Sequence, residues 1–109
     1  MDDVLAKAAE LGKAVRATEK FRALRAAEAT VMKSPDTVKL AEALSTLQNE
    51  LAEREKAGKP MDAAFKERFE KIASAVALDP GLLTLSKAQK EFQALIDEVS
   101  RTMLGELKP

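Results

Sequence analysis

Apolar residues recur three and four positions apart along almost the whole chain, and no stretch alternates apolar with polar. Val4, Ala8, Leu11 and Val15 mark a first amphipathic segment, and Phe21, Leu24, Ala27 and Val31 a second. The third is the clearest, with Leu40, Leu44, Leu47 and Leu51. Phe65, Phe69, Ile72 and Val76 define the fourth; Leu85, Ala88, Phe92, Leu95 and Val99 the fifth, its stripe widened by Ile96 and Met103. The spacing predicts an all-α fold, an elongated antiparallel hairpin or bundle of about five helices, over residues 3–17, 19–33, 35–57, 63–78 and 80–105.

Start and stop signals separate these segments. Ser34-Pro35-Asp36 reads as an N-cap, a first helical residue and an acidic first turn. The serine hydroxyl can accept from an orphan N–H, and the proline has no N–H to satisfy. Asp79-Pro80 repeats the device, and Thr18-Glu19 is a weaker version. Gly58 suits the left-handed residue that closes a helix, and Lys59-Pro60 does not continue one. Asp62 restarts the chain, with Met61 placed to pack back on the new helix. A turn this short makes its flanking helices antiparallel neighbours.

The chain also echoes itself at an offset of 45 positions. Leu24, Ala27, Val31, Ser34, Pro35, Leu40, Ala43, Leu47 and Gln48 align with Phe69, Ile72, Val76, Asp79, Pro80, Leu85, Ala88, Phe92 and Gln93. Duplication explains this, and so does the period shared by any two capped amphipathic helices. Either way the two proline breaks are equivalent corners.

Composition makes this a helix-rich, core-poor chain. Its 109 residues suit one domain, residues 1–109. There are 20 alanines against 30 larger apolar residues, and alanine favours helix while burying little area. A core this lean favours association, because small domains bury a smaller share of their surface. The third and fifth helices, roughly 34 Å and 40 Å long, do not wrap round one compact core. The 4-3-4 seam of Leu40, Leu44, Leu47 and Leu51, with Val99 and Met103 late in the fifth helix, are the candidate self-association residues for a homodimer or higher oligomer. Leu104 and Leu107 extend that last stripe.

Several chemistries are closed to this sequence. Histidine and cysteine are absent, which removes His-containing triads, thiolate metal sites and iron–sulfur ligation. The four glycines stand alone, so no phosphate loop is present. The carboxylate pairs Glu50/Glu53 and Glu67/Glu70 sit among acid-to-base pairs four apart (Glu50/Arg54, Glu67/Lys71, Asp97/Arg101), which marks solvated helix faces, not a metal site. The expectation is no enzyme, no cofactor and no metal. No apolar run approaches the roughly 20 residues of a membrane span, since Ile72–Leu78 meets Asp79. The acidic start, Met1-Asp2-Asp3-Val4, is unlike a secretory signal, which leaves the cytoplasm as the expected location.

Eighteen basic and eighteen acidic residues cancel, which argues against a dedicated nucleic-acid binder. One local excess remains: Lys13, Arg16, Lys20, Arg22 and Arg25 against Glu19. This stretch is the candidate contact for an acidic protein partner. In the alternative reading it makes the chain an accessory RNA-contacting protein; more plainly, it is a basic solvated face.

The order of pieces resembles the YlbF/YmcA/YheA family of small bacterial helical regulators. The resemblance rests on "ELGKAVRATEKFRALRAAEATV", then "SPDTVKLAEALSTLQNEL", the Lys-Ala-Gly-Lys-Pro turn, and "ALDPGLLTLSKAQKEFQALIDEVSRTM". It spans about residues 2–105, and its specificity lies in the order and spacing of Ser-Pro, the glycine turn, Asp-Pro and the final "AQKEF" helix. The resemblance implies a non-enzymatic, oligomerising regulator or adaptor that acts by protein–protein association. It is similar to regulators of competence, biofilm formation and sporulation linked to messenger-RNA turnover. Some such relatives hold iron–sulfur clusters on cysteines, a feature this cysteine-free chain does not share.

Overall fold

In a computed structural model, which describes residues 2–109, the chain forms five helices and no strand among those residues. They are α1 (Asp2–Arg16), α2 (Glu19–Met32), α3 (Pro35–Ala57), α4 (Ala63–Leu78) and α5 (Pro80–Gly105). The expected boundaries hold to within a residue or so, because capping side chains fix them.

The two proline corners correspond bond for bond. At the first, Ser34 is extended (φ −109°, ψ 105°) and its Oγ accepts from the Thr37 N–H at 3.3 Å. At the second, Asp79 is extended (φ −89°, ψ 112°) and its Oδ1 accepts from the Leu82 N–H at 3.0 Å. The Ser34 N–H donates to Val31 O and the Asp79 N–H to Val76 O, both at 3.1 Å. On the far side Val38 donates to Ser34 O and Leu83 to Asp79 O, both at 3.0 Å. Every pair is offset by 45, and both corners are true breaks, not kinks. The echo in the sequence is therefore at least an echo of this device.

The other ends follow the same logic. Thr18 Oγ1 accepts from the Phe21 N–H at 3.2 Å and donates to Val15 O at 2.7 Å, closing α1 and opening α2. Gly58 has φ +67°; its N–H reaches Glu55 O while the Lys59 N–H reaches Arg54 O at 2.9 Å. That double closure satisfies two orphan carbonyls and requires the left-handed residue. Asp62 then caps α4 through the Phe65 N–H at 2.8 Å.

The chain divides into two compact units, with the divisions falling inside α2 and α5. The first holds the residues up to Ala29 and Leu85–Pro109. Here the Phe21 and Phe92 rings meet at 5.6 Å with a 58° tilt, the Arg25 guanidinium lies over Phe21, and Ala27 and Ala88 are buried. Leu11 shares a shallow apolar cavity with Leu95, Val99 and Met103. Leu11 thus lies near the middle of 95–103, while Phe21, ten residues on, meets Phe92. The chain runs antiparallel to α5 here.

The second unit, Thr30–Thr84, is built on the α3/α4 hairpin. Phe65 is fully buried, with the guanidinium of Arg54 over its ring at 4.9 Å and that of Arg68 at 5.5 Å. Leu47 is buried too. Near the corners, the buried Thr37 hydroxyl donates to Asp79 Oδ2 at 2.9 Å, tying the start of α3 to the cap of α5 across 42 residues. Gly81 belongs to this contact: a Cβ there would stand 3.2 Å from Asp79 Oδ1 and 3.7 Å from the Thr37 methyl.

Candidate association surfaces

Helix α1 is amphipathic, yet none of its described residues is buried. Val4 is 67% exposed and Leu5 64%. Since α1 runs antiparallel to α5, these two lie toward the end of α5 that carries Met103, Leu104 and Leu107, all more than half exposed. The first unit thus presents an apolar surface built from the start of α1 and the last turns of α5. Of the sequence-derived candidates, Met103 belongs to this surface, while Val99 is half-buried in the α1/α5 cavity.

The seam of α3 is placed differently. Leu40, Leu44 and Leu51 are half-buried, whereas Leu47, expected at the centre of an intermolecular seam, is only 3% exposed. Leu47 and Ile72 line one face of the hairpin, and Leu51, Met61 and Phe69 line another. Much of what the seam offers is therefore used inside the chain. Met61 does lie with Lys66 and Phe69 beside the start of α4, as the staple reading required.

The basic stretch is partly committed. Lys20 pairs with Glu91 at 3.4 Å and Arg25 with Glu28 at 3.2 Å. Lys13, Arg16 and Arg22 are exposed. The stretch is thus brought together on the end of α1 and the start of α2, with part of its charge answered locally.

Acid–base pairing also departs from expectation. Glu50 pairs across the hairpin with Arg68 instead of along α3 with Arg54. Arg54 turns to the α3/α4 turn, pairing with Asp62 and donating to Pro60 O. Among the described residues no group of three or more acidic, histidine or cysteine residues could hold a metal ion, and no helix is long and apolar enough to cross a membrane.

Two carboxyls are held below their ordinary value, both by capping. At Asp62 the Phe65 N–H is the main cause, opposed by desolvation and helped by Arg54. At Asp79 the Leu82 N–H leads, followed by the Thr37 hydroxyl. Neither faces a nucleophile or a second acid poised for proton transfer; these are structural carboxylates.

Sequence reasoning missed Leu5, Leu78 and Thr37. The first two are apolar residues out of phase with their own helix stripes, which was the available signal. Thr37 is a polar residue three positions before Leu40, at a stripe position, which marks a buried polar group needing a partner.

Comparison with known proteins agrees with this architecture. The model of the family described as "Control of competence regulator ComK, YlbF/YmcA" matches residues 4–108. A UPF0342 protein of Levilactobacillus brevis is 29% identical over 102 residues, covering 94% of this chain and 90% of its relative. A solved structure, a "Protein of Unknown Function (DUF964)" from Bacillus stearothermophilus, superposes with a TM-score of 0.80 at 22% identity, covering 96% of this chain and 92% of the other. At that identity it speaks for the fold alone.

Proposed function

The chain belongs to the YlbF/YmcA family, described as control of the competence regulator ComK, and from that premise we propose that it is a non-enzymatic regulator that works by association, beginning with a homodimer. The observation that carries this reading is the uncovered apolar surface of α1 and α5. Val4, Leu5, Leu11, Met103, Leu104 and Leu107 are between 42% and 75% exposed. Together they offer roughly 700 Å² of side-chain surface, against about 800 Å² per partner in a stable interface of standard size. Large apolar patches on isolated chains mark interaction sites. A second copy is a fitting occupant because the chain is electrically neutral overall, so like-charge repulsion between copies is small. A twofold pairing of this surface closes without further growth.

Sedimentation equilibrium at micromolar concentration tests the reading. The expected mass is twice 11.8 kDa, and Leu5→Glu with Met103→Glu should return it to 11.8 kDa with helicity retained, since both side chains are exposed. A native mass of 11.8 kDa would refute it.

A further inference from the structure

One face of the α3/α4 hairpin carries a shallow apolar cavity of about 330 Å³ lined by Ala43, Thr46, Leu47, Arg68, Lys71 and Ile72. We infer that this groove seats an amphipathic helix of a partner protein, one that sets a large apolar side chain between carboxylates. The floor is apolar: Ala43 stands one turn before Leu47, and its short side chain leaves a notch that Ile72 closes from α4. The rim is cationic, and no carboxylate lines it. Arg68 is paired with Glu50, but Lys71 forms no ion pair with Glu67 four positions before it, although both lie on α4. An apolar floor with an uncommitted ammonium at its edge favours a ligand that brings an apolar anchor and a negative charge together, and disfavours a basic one.

The face continues beyond the cavity. Lys71, Ala75 and Leu78 are spaced i, i+4 and i+7, so they share one side of α4, and Leu78 is 82% exposed. The surface is therefore polarised, basic at Arg68 and Lys71 and apolar toward Leu78. A docking helix would place its acidic residues at the first end and a further apolar residue at the second. Volume and openness suit one anchoring side chain of a helix laid along the hairpin, which is the groove mode of peptide recognition. RNA is a poor occupant, because the floor offers no aromatic ring for stacking and little polar surface.

The test uses the full chain, isotopically labelled, titrated with two synthetic amphipathic helical peptides. One carries leucines four apart flanked by glutamates; its counterpart carries lysines in place of the glutamates. The acidic peptide should shift the amides of Thr46, Leu47, Lys71 and Ile72, and the basic one should bind at least about tenfold more weakly. Lys71→Glu should weaken the acidic peptide by about tenfold or more while leaving the sedimentation mass unchanged. Equal binding of both peptides, no shift at these amides, or shifts there with an RNA oligomer would overturn the inference. So would a fall in mass in Lys71→Glu, which would assign the groove to a second copy. The dimer surface involves other residues, so its loss alone leaves this result readable.

Discussion

A single substitution, glycine to alanine, should change stability with opposite sign at Gly58 and at Gly12. At Gly58 the backbone has φ +67°, and a Cβ built there meets nothing within 4 Å. The cost is thus conformational and not steric: an L side chain in the left-handed region is strained by about 1–2 kcal/mol, and the lower freedom of alanine in the unfolded chain returns part of that. A net loss of about 1 kcal/mol remains. For a chain of this length that lowers Tm by about 4 °C, from an unfolding entropy of about 2.1 cal/mol/K per residue. Gly12 lies inside α1, also with open space at its Cβ position, and its φ is helical. There the same change should stabilise by up to about 1 kcal/mol, the helix-interior difference between the two residues. Thermal and urea denaturation followed by far-UV circular dichroism measures both. Protomer concentration must be held fixed, because an associating chain has a concentration-dependent Tm. Gly58→Asn should fall between the wild type and Gly58→Ala, since asparagine tolerates the left-handed region. If Gly58→Ala is neutral or stabilising, the double hydrogen-bond closure at the end of α3 is not what fixes the turn.

Two further outcomes follow from the caps. Ser34→Ala should destabilise by about 1 kcal/mol, because the Thr37 N–H loses its acceptor; urea midpoints decide it, and an unchanged midpoint would mean that Pro35 and packing alone hold the corner. Acid should destabilise the chain through Asp62 and Asp79. Their folded values lie below the ordinary 3.8, so their contribution is complete above that value and is lost as pH falls through the folded one. Both are open to water, which screens the effect. Asp79→Asn should flatten part of the acid limb of a stability-against-pH curve, and an equally steep limb would acquit that carboxylate.

The helices were legible because the physics that sets them is local. A period of three to four places the stripe, and Ser-Pro, Asp-Pro, Asp62 and Gly58 supply ends whose hydrogen bonds span only three to five residues. Pairings between distant residues were not legible. Glu50 has a basic residue four positions on, and sequence spacing selects Arg54; in the hairpin Arg68 reaches it from α4, while Arg54 serves the turn and the Phe65 ring. Helix spacing says which side chains can meet along one helix, and it is silent about a competitor delivered by the next. The Thr37–Asp79 bond is the same case at a separation of 42 residues.

The candidate surfaces divide along that line. An apolar stripe in a sequence states that something covers it, without saying whether the cover is in the same chain. In α3 the cover is largely internal: α4 supplies Ile72 and Phe69, Leu47 disappears, and a Leu47→Glu substitution would report on folding before it reported on association. In α1 the stripe is equally regular, but its partner α5 shares only a shallow cavity with it at Leu11, so Val4 and Leu5 stay in water. The chain's large alanine content sharpens this contrast. Stripes completed by Ala8, Ala27 or Ala88 bury little area, so helix pairs close fully only where a Leu, Ile or Phe faces another. Surfaces left over by that rule, the α1/α5 end and the Lys71–Leu78 side of α4, are where association has the most apolar area to gain.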